Sequence, residues 1–148
     1  MAVKMMELSA PRVQIVKNNQ IFVDGKRVGY MIFDKTLGIT KEYFLNLWGG
    51  SRPITKIMEA VPPGYVFNYY WLHRFELDLE YQGKGLGSLI LATWFASLKS
   101  PACVGLQPSG IANVPTASVK RFYAANNFQF FRSGSNTYGL TFVKAKRT

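Results

Sequence analysis

Tyr81-Gln82-Gly83-Lys84-Gly85-Leu86-Gly87-Ser88 is the stretch on which the reading of this chain turns. A strand-like apolar run, residues 71–79, leads into it, and an amphipathic helical pattern, residues 89–98, leads out. Glycine at alternate positions lets the backbone turn tightly and present bare N–H groups to a ligand. The helix that starts there adds unsatisfied donors and the positive end of its dipole. Strand, glycine turn and helix N-terminus in that order make a cradle for a pyrophosphate. Two commoner phosphate motifs do not fit. A P-loop places Ser or Thr after its Gly-Lys pair, and Gly83-Lys84 is followed by Gly85. A dinucleotide fingerprint has G-x-G-x-x-G and an acidic residue about 20 positions on. Here the spacing is G-x-G-x-G, and no Asp or Glu follows Glu80. What remains is Gln-x-x-Gly-x-Gly at a strand-to-helix junction.

A chain of 148 residues with 48% hydrophobic and 15% aromatic content reads as one packed domain, residues 1–148, large enough to need no staples. The single cysteine, Cys103, excludes an internal disulfide and a cysteine metal cluster, which suits a reducing compartment. Residues 1–12 lack the apolar core of a signal peptide, and the longest apolar run, residues 89–98, is too short to span a bilayer. The expectation is a cytoplasmic protein with no metal and no membrane contact. Its +10 charge is unevenly placed. Residues 1–80 hold all eight acids against ten Lys and Arg, while residues 81–148 hold eight basic residues and no acid. Such a field gathers anions. Solubility and loose attraction to nucleic acid are equally consistent with charge alone.

Along the chain, residues 12–35 read as a β-meander, with Asn18-Asn19 between two short β-branched runs and Asp24-Gly25 as a hairpin turn. Thr40 caps an expected helix through Trp48 that Gly49-Gly50 ends, and a second covers residues 54–60. Residues 65–80 form a long aromatic strand with room for a bulge, residues 86–99 the main helix, and residues 102–107 the next strand. A loop over residues 108–115, a helix over 116–126, and a hairpin of residues 128–132 and 138–144 complete the order. The pattern predicts a mixed α/β fold.

Gln82, Gly85 and Gly87 fill the fixed positions of a pattern that resembles the coenzyme A signature of the GNAT superfamily of N-acetyltransferases. A second stretch resembles that family's closing helix and strand, where a Tyr precedes a Gly-Phe pair. It is Val119-Lys120-Arg121-Phe122-Tyr123-Ala124-Ala125-Asn126-Asn127-Phe128, with Asn127 in place of Gly. Asn tolerates the left-handed backbone that Gly supplies there. The resemblance covers residues 70–144 and leaves residues 1–69 as a divergent meander plus short helices. It implies a mostly antiparallel sheet flanked by helices and splayed at an acetyl-CoA slot. The family usually puts two helices between its first two strands; here the candidate helices follow the meander.

The resemblance also implies roles. The backbone of Gln82, Gly83, Lys84, Gly85, Leu86, Gly87 and Ser88 would bind the pyrophosphate. Phe75, Glu76 and Leu77 match the segment that pairs with the pantetheine arm, with the Leu77 amide as donor to the thioester oxygen. Tyr123 takes the place of the tyrosine that protonates the departing thiolate, and Thr116 stands where the family often has an Asn on the cofactor. Helical spacing of Val119, Phe122, Tyr123 and Asn126 equally fits a packed core. His73, the only histidine, and Glu76 are the two candidate bases. A packed aromatic cluster and a solvated stripe of Glu76, Asp78 and Glu80 are their plainer readings. Gln107 is a weaker candidate for positioning amine or water. Nothing pairs Cys103 with a base, so no covalent acetyl-enzyme is expected.

The expected activity is acetyl-CoA-dependent N-acetyl transfer to a small amine, a lysine or a protein N-terminus. A non-catalytic relative that docks on a protein partner is the alternative, and a small nucleic-acid-binding protein ranks below it.

Overall fold

The structure is a computed structural model that describes residues 11–108 and 116–143. Asn18-Asn19 and Asp24-Gly25 turn the chain twice near its start. All four residues take left-handed φ values, between 51° and 81°, a conformation that glycine and short amide or carboxylate side chains tolerate. The turns join β1 (Val13–Val16), β2 (Gln20–Val23) and β3 (Lys26–Thr40) into an antiparallel meander. β3 runs further than residue patterning suggests, because residues 34–38 are exposed and carry no apolar alternation. Pairing with β4 (Val66–Leu77) holds them extended as far as Thr40 opposite Val66. Gly38 bulges this stretch at φ 66° and donates its N–H to the buried Asn68 Oδ1 at 2.9 Å.

The Thr40 hydroxyl accepts from the Tyr43 N–H at 3.1 Å and so starts α1 (Lys41–Leu47). α2 (Arg52–Ile57) follows and ends in a 3-10 turn, Met58–Ala60. Both helices lie between β3 and β4, as their place after the meander in the sequence requires. β4 leads through a 3-10 turn, Leu79–Tyr81, and the glycine turn into α3 (Leu86–Ser97), then β5 (Ala102–Leu106). α4 (Thr116–Ala125), β6 (Gln129–Ser133) and β7 (Asn136–Val143) complete the chain. Most of the expected loop, residues 109–115, and Lys144 at the expected end of the last strand lie outside the described residues.

Among the described residues, seven strands form one mixed sheet in the order β1-β2-β3-β4-β5-β7-β6. Only β4 and β5 are parallel, joined over α3, and every other pair is antiparallel. β4 sends alternate side chains to opposite faces. Tyr70 and Leu72 meet Ile90, Leu91 and Trp94 of α3, whereas Phe67 and Tyr69 meet Phe44 of α1 and Ile54 of α2. With both faces covered, β5 is buried along its whole length and reads as an uninterrupted run of apolar and small residues. Among the described residues no helix is long and apolar enough to cross a membrane.

Gly29 of β3 packs directly against the backbone of β4. A Cβ built there would overlap the Glu76 carbonyl oxygen and lie 2.9 Å from the Leu77 Cα, so only a backbone shift can admit one. Gly29→Ala is expected to cost about 1–3 kcal/mol, the usual range for overpacking. A fall in the urea midpoint with an unchanged slope checks this. An unchanged midpoint would mean that β3 and β4 have slack where the structure shows contact.

Candidate active site

β4 stays with β3 to its end but leaves β5 early. Its last partner on β5 is Leu106, opposite Leu72, while on the other side pairing with β3 continues to Leu77. A register shift falls at the same place: Phe33 pairs with Leu72 and Ile32 with Arg74, so His73 is the extra residue of a bulge. Residues 73–77 thus line a cleft of about 520 Å³ whose far wall is Leu106, Gln107 and residues of α4. That is an ordinary size for a small-molecule site.

The direction of the free backbone groups follows from one hydrogen bond. Asp78 donates its N–H to the Val28 carbonyl at 2.8 Å. Strand residues alternate the edge their amides address, so Phe75 and Leu77 turn theirs away from β3, toward the cleft. The Leu77 carbonyl on that edge is taken by the Gln82 side-chain amide at 2.9 Å. Gln82 therefore folds the glycine turn back onto the strand end with its side chain.

Within the turn, Gly83 and Gly85 adopt φ values of 72° and 77°, and a Cβ on either would meet nothing within 4 Å. These two satisfy both conditions for a backbone cradle, a left-handed turn and open approach. α3 begins at Gly85 with no side-chain cap and no acid in its first turn, which leaves its first donors available to an anion. Gly87 differs. It is helical, and a Cβ there would lie 3.0 Å from the Phe122 ring. Its smallness brings α4 close to α3, where Asn126 Nδ2 also donates to Ser88 Oγ at 3.1 Å. Lys84 is exposed, and neither it nor Leu86 forms part of the cleft wall.

Tyr123 is buried at 7% exposure yet lines the cleft. A C-cap places it. Asn127, at φ 71°, turns the chain left-handed after α4, while Phe128 N–H bonds the Tyr123 carbonyl at 3.1 Å and Asn127 N–H that of Ala124 at 3.1 Å. This is the Schellman arrangement, completed by the apolar contact of Phe128 with the Tyr123 ring at 5.2 Å. Burial raises the phenol pKa above its usual value, so it remains a proton donor. Thr116 is exposed at the first position of α4 and outside the cleft wall, whereas Ser118 lies within it.

The candidate bases occupy different settings. His73 lines the cleft with its side chain 44% exposed, and its Nε2 lies 2.5 Å from Asp34 Oδ2. Glu76 Oε2 accepts from the Tyr30 hydroxyl and from Arg74 at 3.1 Å, so it is engaged by two donors. The expected stripe of Glu76, Asp78 and Glu80 does not form, because β4 stops at Leu77. Asp78 pairs with Arg27 at 2.8 Å, and Glu80 sits in the 3-10 turn. Asp34, Tyr30 and Arg74 are site neighbours that residue patterning does not single out, whereas Phe122, placed by helical spacing in a packed core, also lines the cleft. Asp34 and Tyr30 come from β3, and only the register of β3 on β4 brings them there. Cys103 is fully buried, and burial raises its thiol pKa, which keeps it from acting as a nucleophile.

The sequence matches no family model and no curated protein. Among solved structures the chain is similar to a bacterial toxin, at 15% identity over 95% of this chain and 72% of that one, with TM-score 0.51. It is also similar to an acetyltransferase from Thermus thermophilus, at 19% identity over 94% and 68% with TM-score 0.49. A third is arylalkylamine N-acetyltransferase 2 from Aedes aegypti, at 10% identity over 86% and 74% with TM-score 0.49. Likeness at such identity is one of fold alone: a seven-stranded mixed sheet, flanked by helices, whose parallel strands part beside a glycine turn.

Proposed function

We propose that the chain is an acetyl-CoA-dependent N-acetyltransferase that passes the acetyl group directly to a primary amine while both substrates are bound. The free edge of β4 carries this reading. It offers the amides of Phe75 and Leu77 to a cleft that begins at the glycine turn, so one extended ligand can meet strand donors and a phosphate cradle together. The backbone of residues 83–88 would hold the pyrophosphate, and Phe75, Glu76 and Leu77 would flank the pantetheine arm.

In the reaction the amine nitrogen bonds to the thioester carbon and the carbon–sulphur bond breaks. The amine must lose a proton, and the departing thiolate must gain one. The Leu77 N–H would donate to the oxygen as its charge grows, a contribution that favours the transition state over the ground state. Tyr123 would give its phenolic proton to the thiolate and recover one from solvent. His73 would take the proton of the amine; the two donors on Glu76 favour the histidine for that role. Release of coenzyme A in the presence of a panel of small amines and peptides tests the reading as a whole. No release with any acceptor, from protein that binds acetyl-CoA, would instead favour a protein that acts by docking on a partner.

Two glycines should respond differently. Gly85→Val forces a branched side chain to φ 77° at the open mouth of the cradle and should abolish the rise in melting temperature that acetyl-CoA gives the native protein by mass action. Gly87→Ala sets a Cβ 3.0 Å from the Phe122 ring, a crowding set against the helix-propensity gain of about 1 kcal/mol, and should keep a ligand-dependent shift with stability within roughly 1 kcal/mol of wild type. Equal ligand shifts in wild type and Gly85→Val would remove the pyrophosphate from the turn.

Tyr123→Phe should leave acetyl-CoA binding unchanged and lower kcat at least about tenfold when chemistry limits turnover. The raised phenol pKa also fixes a pH dependence. Because a buried tyrosine keeps its proton to higher pH than a free one, turnover should show no decline from tyrosine ionisation at or below about pH 10. A decline near pH 9 that vanishes in Tyr123→Phe would contradict the burial of this residue.

A further inference from the structure

We infer that Asp34 is a positioning residue for catalysis, holding His73 in the tautomer that leaves Nδ1 free to take the proton of the acceptor amine. The inference rests on the acetyltransferase reading and assigns a role to a side chain 39 residues away in sequence.

An ionised carboxylate only accepts hydrogen bonds, so its 2.5 Å contact with His73 Nε2 places a proton on that nitrogen. A neutral imidazole carries one N–H, and with Nε2 protonated the lone pair belongs to Nδ1. The bulge makes this geometry. His73 has no partner on β3, its neighbours Leu72 and Arg74 pair with Phe33 and Ile32, and its ring reaches the next residue along, Asp34, which pairs with Trp71. The Trp71 ring lies edge to face with the imidazole, with centroids 6.5 Å apart.

Among the described residues, the charged groups in contact with His73 or lining the cleft beside it are Asp34 from β3 and Arg74 and Glu76 from β4, while Gln107 and the other described residues of the facing wall are uncharged. Arg74 is tied to Glu76 at 3.1 Å and to the Tyr30 hydroxyl at 3.3 Å. Glu76 is thereby engaged, and Asp34 is the carboxylate left to the imidazole. When Nδ1 takes a proton from the ammonium nitrogen, the ring becomes a cation with Nε2–H still directed at Asp34. The carboxylate stabilises that cation, and the captured proton later leaves to solvent. An orienting carboxylate that stays ionised while its histidine shuttles a proton is the division of labour in catalytic triads.

The chain has one histidine, so its ring can be followed without interference. Nitrogen-15 NMR of the free protein above the imidazole ionisation should show His73 mainly as the Nε2–H form. Asp34→Asn, which can either donate or accept at the same place, should redistribute the tautomers. The side chain is 78% exposed, so the melting temperature should not move. In steady state the variant should lose at least about tenfold in kcat, with the KM for acetyl-CoA unchanged. Asp34→Glu should recover part of the loss. A wild-type ring in the Nδ1–H form, or tautomers indifferent to Asp34→Asn, would overturn the inference whatever the activity. A wild type that turns over while Asp34→Asn keeps full kcat would also overturn it, and would leave the acetyltransferase reading standing. A wild type that binds acetyl-CoA but acetylates no amine would bring down both. In that case Asp34 would have no proton transfer to serve.

Discussion

Every feature of the site depends on one strand that belongs to two neighbours along only part of its length. β4 has β5 on one side as far as Leu72 and β3 on the other as far as Leu77. A backbone N–H without a partner is costly in a dry setting, so a strand cannot shed a neighbour inside a packed core. It can do so only where water or a ligand replaces the lost bonds. The bulge at His73 coincides with the parting, and bulges bend a strand and strengthen its twist. The cleft is therefore a consequence of sheet geometry, and the side chains lining it were placed by that geometry.

The glycine turn was legible in the sequence because its demands are local. A left-handed φ at Gly83 and Gly85 admits few other residues, and a helix start after a strand has a recognisable pattern. Tyr123 was legible for a related reason. The spacing from Tyr123 to Asn127 and Phe128 is that of a Schellman cap, in which the residue after the left-handed position packs back onto the last turn. The packed-core reading of Tyr123 and its place in the cleft wall prove compatible. The ring is packed by Phe122 and Phe128, and the same packing exposes one part of it to the cleft.

What escaped the sequence is set by register. No periodicity links Asp34 to His73 or Tyr30 to Glu76, because the partner of a strand residue depends on every bulge between it and the turn. β3 and β4 shift register twice, between Ile32 and Phe33 and between Thr36 and Ile39. Counting back from a hairpin could not find these pairs, since α1, α2 and a loop separate the two strands. The acidic stripe failed for a similar reason. Alternation holds only while the strand lasts, and β4 gives way to a 3-10 turn before Glu80.

The uneven charge gains a spatial meaning from the same parting of strands. The acid-bearing part of the chain ends at Glu80, just after β4, and the acid-free part begins with the glycine turn. The cleft lies along that seam. Its β4 wall holds Arg74 and Glu76, already paired with each other, while the wall formed by α3, β5 and α4 comes wholly from the half without a carboxylate side chain. An anion entering at the turn thus meets helix donors and no repelling acid from that wall. On the proposed reading, a cationic amine would find Asp34 on β3 beside His73. Under the proposed function, opposite charges would approach one reaction centre from two sides because the chain keeps its acids in the segment that supplies only one of them.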